Sequence, residues 1–248
     1  MASWMVHLRV ADQLLERCDI LPMESPAFCK YSTDLDETAF VVGNIAPDSG
    51  VPTADWSAYV PDKMTSHFKT MRGAEIMAET MGRRDGKPQI DVESFVEKYF
   101  TAEQRAGYDR RQMSFYLGYL THLLTDVLWV REIYWPAVQA EQEAYTADHM
   151  DTVRKWKKDW YDLDFLYLQQ HPDFRAFDIY EAAVDFRNDL MEEFPSDAFE
   201  NRRQYITWFY HQHRDGLDRH YPYLNQEQMD TFVSLAVQEI TEYISKRF

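Results

Sequence analysis

RRQMSFYLGYLTHLLTDVLWVREIYW, residues 110–135, is the longest apolar stretch of the chain. Leu117, Leu120, Leu124 and Leu128 recur at helical intervals among Phe, Tyr and Trp. The segment therefore reads as a helix that is apolar almost all round and central to the fold.

Helical periodicity continues on both sides of it. Trp4, Leu8, Ala11, Leu14, Leu15 and Cys18 keep a three-and-four spacing, which predicts an amphipathic first helix with His7 at the edge of its inward stripe. A turn-rich stretch covers Leu21 to Tyr31. TDLDETAFVVGNIAPDSG, residues 33–50, predicts an apolar helix capped by Thr33 or Asp34 and stopped at Pro47. Residues 49–69 read as irregular, and Asp91 opens a short helix in DVESFVEKYF. Later helices are expected at about Tyr145 to Gln170, Ile179 to Phe194, Ala198 to His213 and Gln226 to Lys246. No repeat or flexible linker interrupts the series. The expectation is an all-α fold, with residues 1–248 forming a single multi-helical domain of about seven or eight helices.

Composition agrees with that class. At 248 residues, 45% hydrophobic and 27% charged, the chain has ample material for a core and too few glycines (8) and prolines (10) for a turn-rich all-β protein. The 7 Trp, 16 Tyr and 15 Phe call for a dense interior or an aromatic-lined pocket. Its formal net charge of −16 disfavours extended nucleic-acid or anionic-membrane binding, although a small phosphorylated substrate can enter where local cations cancel the field. Cys18 and Cys29 have neither disulfide-framework nor metal spacing and read as reduced thiols. No segment offers the ~20 apolar residues of a transmembrane helix. The N-terminus carries Arg9, Asp12, Glu16 and Arg17 and does not resemble a signal peptide, so the expected location is cytoplasmic.

Chemistry concentrates on the central helix. His122 and Asp126, four residues apart, share one face. An imidazole and a carboxylate so placed can bind one cation, and equally can form a buried structural pair. A buried Asp needs a partner in either case. Asp48 follows the helix-ending Pro47, His67 lies in the polar segment DKMTSHFKT, and His7 faces inward from the first helix. Three histidines and two carboxylates suffice for one metal ion and part of a second. His171, His211, His213 and His220 read as surface or capping residues. No GxSxG, P-loop or dinucleotide-binding glycine pattern occurs.

In this order, His7, GNIAPD, SHF and GYLTHLLTD resemble the bacterial zinc-dependent phospholipase C family, whose all-α fold is shared with single-strand-specific zinc nucleases. The similarity covers about the first 135 residues. It implies that Asp48, His67, His122 and Asp126 hold one zinc, and that Asp126 bridges towards a second ion that His7 also helps bind. Where the family places a further histidine six residues after the bridging Asp, this chain has Glu132, a candidate ligand in its stead. The family's later His-xxx-Glu pair has no clean counterpart, and Asp159 is the nearest carboxylate candidate. Secreted members also use a processed N-terminal tryptophan, whereas this chain begins MASW. The ligands therefore suit one or two zinc ions rather than three.

The resemblance implies a zinc-dependent hydrolase of phosphodiester bonds acting on a small phosphorylated or phospholipid-type substrate. Asp48 would serve as both ligand and general base. A nuclease, a phosphomonoesterase and a non-catalytic helical module with a structural ion are the alternatives.

Overall fold

In the computed structural model, which describes residues 1–20, 35–55, 57–83 and 86–248, the described residues are mainly helical, and the strands among them are two pairs of two residues each. Helix α1 (Trp4–Ile20) is followed, beyond the gap, by α2 (Glu37–Ile45), which runs into a 3₁₀ turn at Ala46–Asp48. Strands β1 (Val51–Pro52) and β2 (Tyr59–Val60) pair antiparallel, with Val51 opposite Val60. Next come α3 (Lys63–Ser66), β3 (Lys69–Thr70), α4 (Met71–Met81) and β4 (Gln89–Ile90), with Lys69 opposite Ile90. The remainder is α5 (Val92–Tyr99), α6 (Ala102–Gly107), α7 (Arg110–Trp129), a π turn at Val130–Tyr134, α8 (Trp135–Ala140), α9 (Gln142–Ala147), α10 (His149–Gln170), α11 (Arg175–Ala182), α12 (Ala198–Tyr210) and α13 (Gln226–Arg247).

Local chemistry sets these boundaries. Asp109 and Gln112 form a capping box at the start of α7, as Asn225 and Gln228 do for α13. Asp91 caps α5 as expected, accepting the Ser94 amide. The cap of α2 is Asp36, which accepts the Ala39 amide and starts the helix later than a Thr33 or Asp34 cap requires. Thr33 and Asp34, like Leu21 to Tyr31 and Cys29, lie outside the described residues, as does the Cys18 side chain.

A continuous helix from Ile179 to Phe194 does not form. Helix α11 ends at Ala182, and Asp185 adopts a positive φ of 59°. The Asn188 side chain accepts the Leu190 and Met191 amides and donates to the Met191 and Phe194 carbonyls, binding the backbone into a loop instead. The expected helix from Tyr145 is also divided, because Asp148 caps a fresh start at His149. Helices α3, α6, α8 and α9, of four to six residues, add to the seven or eight that periodicity suggests.

Helix α7 is the hub. It is buried along most of its length and packs against α1, α2, α5 and α13. Its hydroxyls cause no conflict there, since Thr121 donates to the Leu117 carbonyl and Thr125 to the Thr121 carbonyl. Two glycines let α2 and α7 approach backbone to backbone. A Cβ on Gly118 would lie 2.1 Å from the Phe40 carbonyl oxygen, and one on Gly43 would lie 2.2 Å from that of Phe115. Both distances are impossible without separating the helices.

Gly118→Ala should therefore reverse the usual helix preference for alanine and destabilise the fold by about 1–3 kcal/mol. Gly107→Ala, where a Cβ meets nothing within 4 Å, should be neutral or stabilising by up to about 1 kcal/mol. Urea unfolding of both variants checks the contrast, and equal midpoints would contradict a glycine-dependent crossing.

Candidate metal centre

Five of the candidate side chains meet at the α2–α7 crossing. His7 comes from α1, Asp48 from the 3₁₀ turn, His67 from the C-terminal end of α3, and His122 and Asp126 from α7. All five are buried. They form two overlapping groups, His7/His122/Asp126 and Asp48/His67/His122, in each of which the ligating atoms lie within 4.8 Å of one another. The Nε2 atoms of His67 and His122 are 3.4 Å apart. Asp126 Oδ2 is 3.7 Å from both of them, Asp48 Oδ1 is 3.5 Å from His67 Nε2, and Asp126 Oδ1 is 3.5 Å from His7 Nε2. The rings of His7 and His122 stack in parallel at 3.7 Å.

Neighbouring groups orient these ligands. His122 Nδ1 lies 2.8 Å from the Asn44 carbonyl, which can only accept, so Nδ1 carries the proton and the Nε2 lone pair faces the cluster. Ser66 Oγ lies 2.9 Å from His67 Nδ1, and the Tyr119 hydroxyl donates to the Ser66 carbonyl. Such partners fix ring orientation at metal sites.

The electrostatics favour ligation. Burial pushes the imidazolium pKa of His122 well down, with His7 adding to the effect, and burial also lowers that of His67 against the opposing pull of Asp48. Burial alone would raise the Asp48 carboxyl, but Lys63, 3.2 Å away, and His67 outweigh it and hold it well below the usual range. The Asp126 carboxyl is likewise lowered despite burial, by the chain's terminal amine and by His7 and His122. Neutral imidazoles beside ionised carboxylates are the protonation states that a divalent cation requires.

Orphaned atoms provide the test of fit. Both His7 nitrogens and Asp126 Oδ2 are buried without a hydrogen-bond partner. An unsatisfied buried polar group costs about 1–3 kcal/mol. Nitrogen and carboxylate oxygen are zinc ligands, and here they converge from both groups, so these residues fit one or two zinc ions.

Glu132 and Asp159 stand apart from this convergence. Glu132 lies on the π turn, partly exposed and paired with Arg131. Asp159 is buried on α10, where Oδ2 accepts the Tyr223 amide at 2.8 Å and Oδ1 meets Arg219 at 2.7 Å. Those contacts tether the segment before α13. His211 pairs with Glu181, His213 with Asp215, and His171 meets the Tyr167 carbonyl, all at the surface.

The start of the chain also reaches the cluster. Ala2 donates its amide to Asp126 Oδ1 at 2.8 Å, and the Ser3 hydroxyl donates to Asp164, which also accepts from Tyr210. Burial pushes the Asp164 carboxyl up to about 7 against both hydroxyls. Periodicity gave no signal for Asn44, Ser66 or Asp164, whose partners are set by tertiary packing. Since folded Asp164 holds its proton more tightly than the unfolded chain does, its contribution to stability is present at acid pH and is lost as pH rises towards 7. Asp164→Asn should thus gain on the wild type by up to about 1.4 kcal/mol per pH unit between pH 4 and 7. Denaturant midpoints of the two proteins that stay parallel across that window would contradict this.

The family model described as zinc dependent phospholipase C matches residues 6–129, half of the chain, and that span holds all five converging side chains. No curated protein and no solved structure matches the chain. No helix among the described residues is long and apolar enough to cross a membrane. With the match spanning both overlapping ligand groups, the chain belongs to the zinc-dependent phospholipase C family.

Proposed function

We propose that residues 1–248 act as one all-α domain that hydrolyses a phosphate diester at this centre, in the manner of a phospholipase C. His7, Asp48, His67, His122 and Asp126 would hold the zinc. Bound there, zinc supplies a Lewis acid that makes water nucleophilic near neutral pH and draws charge from a phosphoryl oxygen.

The observation that carries this reading is the position of Asp48. It belongs to the ligand cluster and also lines the cleft of about 620 Å³ that opens beside it. A carboxylate at that boundary meets substrate and water together. Lys63 keeps Asp48 ionised, so it can accept the proton of the attacking water. His67 and His122 remain neutral through burial and stay fixed by Ser66 and Asn44. Trp4 and Tyr205 contribute apolar surface to the cleft beside the centre.

Elemental analysis of protein purified without chelator should find one or two zinc ions per chain. His122→Ala, which removes the residue shared by both ligand groups, should lose most of that metal. Asp48→Asn should cut hydrolysis of bis-(p-nitrophenyl) phosphate by about 10²-fold or more while leaving the protein folded. Hydrolysis that survives both substitutions, or a rate that is higher on p-nitrophenyl phosphate or single-stranded DNA than on the diester, would defeat the assignment.

A further inference from the structure

The cleft beside Asp48 has a charge pattern of its own. Trp4, Tyr59 and Tyr205 contribute aromatic surface to it, and Lys63 and Arg202 contribute cations. Aromatic faces commonly receive a quaternary ammonium group. Here that position is already taken. The Arg202 guanidinium lies 5.6 Å from the Trp4 ring centroid and 5.7 Å from that of Tyr205. Its Nη2 donates to the Gly50 carbonyl at 3.0 Å, and its buried Nε has no acceptor.

Among the described residues no carboxylate pairs with Arg202, although the chain carries 42 acidic side chains. The next residue shows the contrast, since Arg203 is clamped by Glu200 at 2.7 and 2.9 Å. One more cation, Lys63, lines the cleft, and two others act on it from outside the lining. Lys63 is 3.2 Å from Asp48, while Lys69 and Lys157 lie close enough to Lys63 and Asp48 to interact electrostatically and have no ion-pair partner among the described residues. Asp48 answers Lys63 inside the cleft, which leaves Arg202 as the lining cation with no carboxylate partner among the described residues.

Resting on the hydrolase reading above, we propose that the cleft is a subsite for a second anion, so that the ester processed here bears a phosphate or carboxylate on its distal group. Arg202 is the specificity-determining residue. Its planar fork, braced by two rings and one carbonyl, presents donors to an oxyanion and repels a trimethylammonium group that would otherwise stack on Trp4 or Tyr205. The lysines raise the local concentration of the anion against the field of the acidic surface.

Calorimetry on the zinc-loaded protein, comparing 3-phosphoglycerate with phosphocholine, tests this directly. The two ligands share a phosphomonoester and differ in distal charge, so the metal's own contribution largely cancels in their ratio. The expected result is at least tenfold tighter binding of 3-phosphoglycerate. Arg202→Gln should remove at least tenfold of that affinity and leave phosphocholine binding unchanged or tighter, with Arg202→Lys recovering part of the loss. Equal or tighter binding of phosphocholine by the wild type, which needs no variant to observe, would overturn the proposal, as would equal weakening of both ligands in Arg202→Gln. A protein that binds neither ligand and holds no zinc on elemental analysis would instead overturn the hydrolase reading. Cosedimentation with phosphatidylcholine vesicles doped with phosphatidylinositol 4-phosphate separates the sources of the anion. Zinc-dependent capture assigns it to a lipid headgroup, and tight 3-phosphoglycerate binding without capture assigns it to a soluble ester.

Discussion

The α2–α7 crossing at Gly43 and Gly118 is the constraint on which the centre depends. Because neither glycine has a side chain, the two backbones interlock, and the Asn44 carbonyl comes within 2.8 Å of His122 Nδ1. That single contact selects the tautomer whose Nε2 lone pair faces His67 and Asp126. Asp126 follows on the same face of α7, so one crossing positions both the shared imidazole and its neighbouring carboxylate. Separating the helices by the width of a methyl group would move the acceptor out of reach and leave the ring free to turn.

The cluster differs from the other buried carboxylates in what satisfies it. Asp162 is met by Lys158, Arg214 and Arg219, and Asp91 by Arg72, Thr70 and Ser94. These are closed ion-pair networks, and they tie α10 to the segment before α13 and the β3–α4 junction to α5. Asp126 receives one backbone amide at Oδ1 and nothing at Oδ2, while three histidine rings crowd against it. Burial holds His122 and His67 neutral beside it. The arrangement makes poor sense as stabilisation and good sense as preorganisation for a cation, in keeping with the family to which the chain belongs.

Much of this was legible in the sequence because it is local. The i, i+4 relation of His122 and Asp126, the apolar girth of α7 and the cap at Asp91 depend on residues within a turn or two of each other. The contributions of Asn44 and Arg202 depend on partners 78 and 152 residues away, and no periodicity announces them. Glu132 and Asp159 illustrate the converse. A carboxylate near the right position reads as a ligand until Arg131 and Arg219 are seen to engage it. The break after α11 was hidden for a related reason. Residues 183–194 keep apolar spacing, yet the Asn188 amide outcompetes the helical backbone for four of its groups. Helices of four to six residues are too short for a hydrophobic period to register.

Charge links the whole surface to the cleft. A net charge of −16 repels every anion at long range, with a force that grows with the number of phosphates it carries. Inside one Debye length, about 8 Å at physiological ionic strength, the nearest charges dominate instead. There an approaching group meets Lys63 and Arg202 rather than the acidic exterior. On the reading proposed above, a compact ester meets less of that long-range repulsion than a polymer of phosphates does. On that reading the acidic composition and the cations of the cleft act in the same direction, favouring a small anion over a large one, and neither alone would do so.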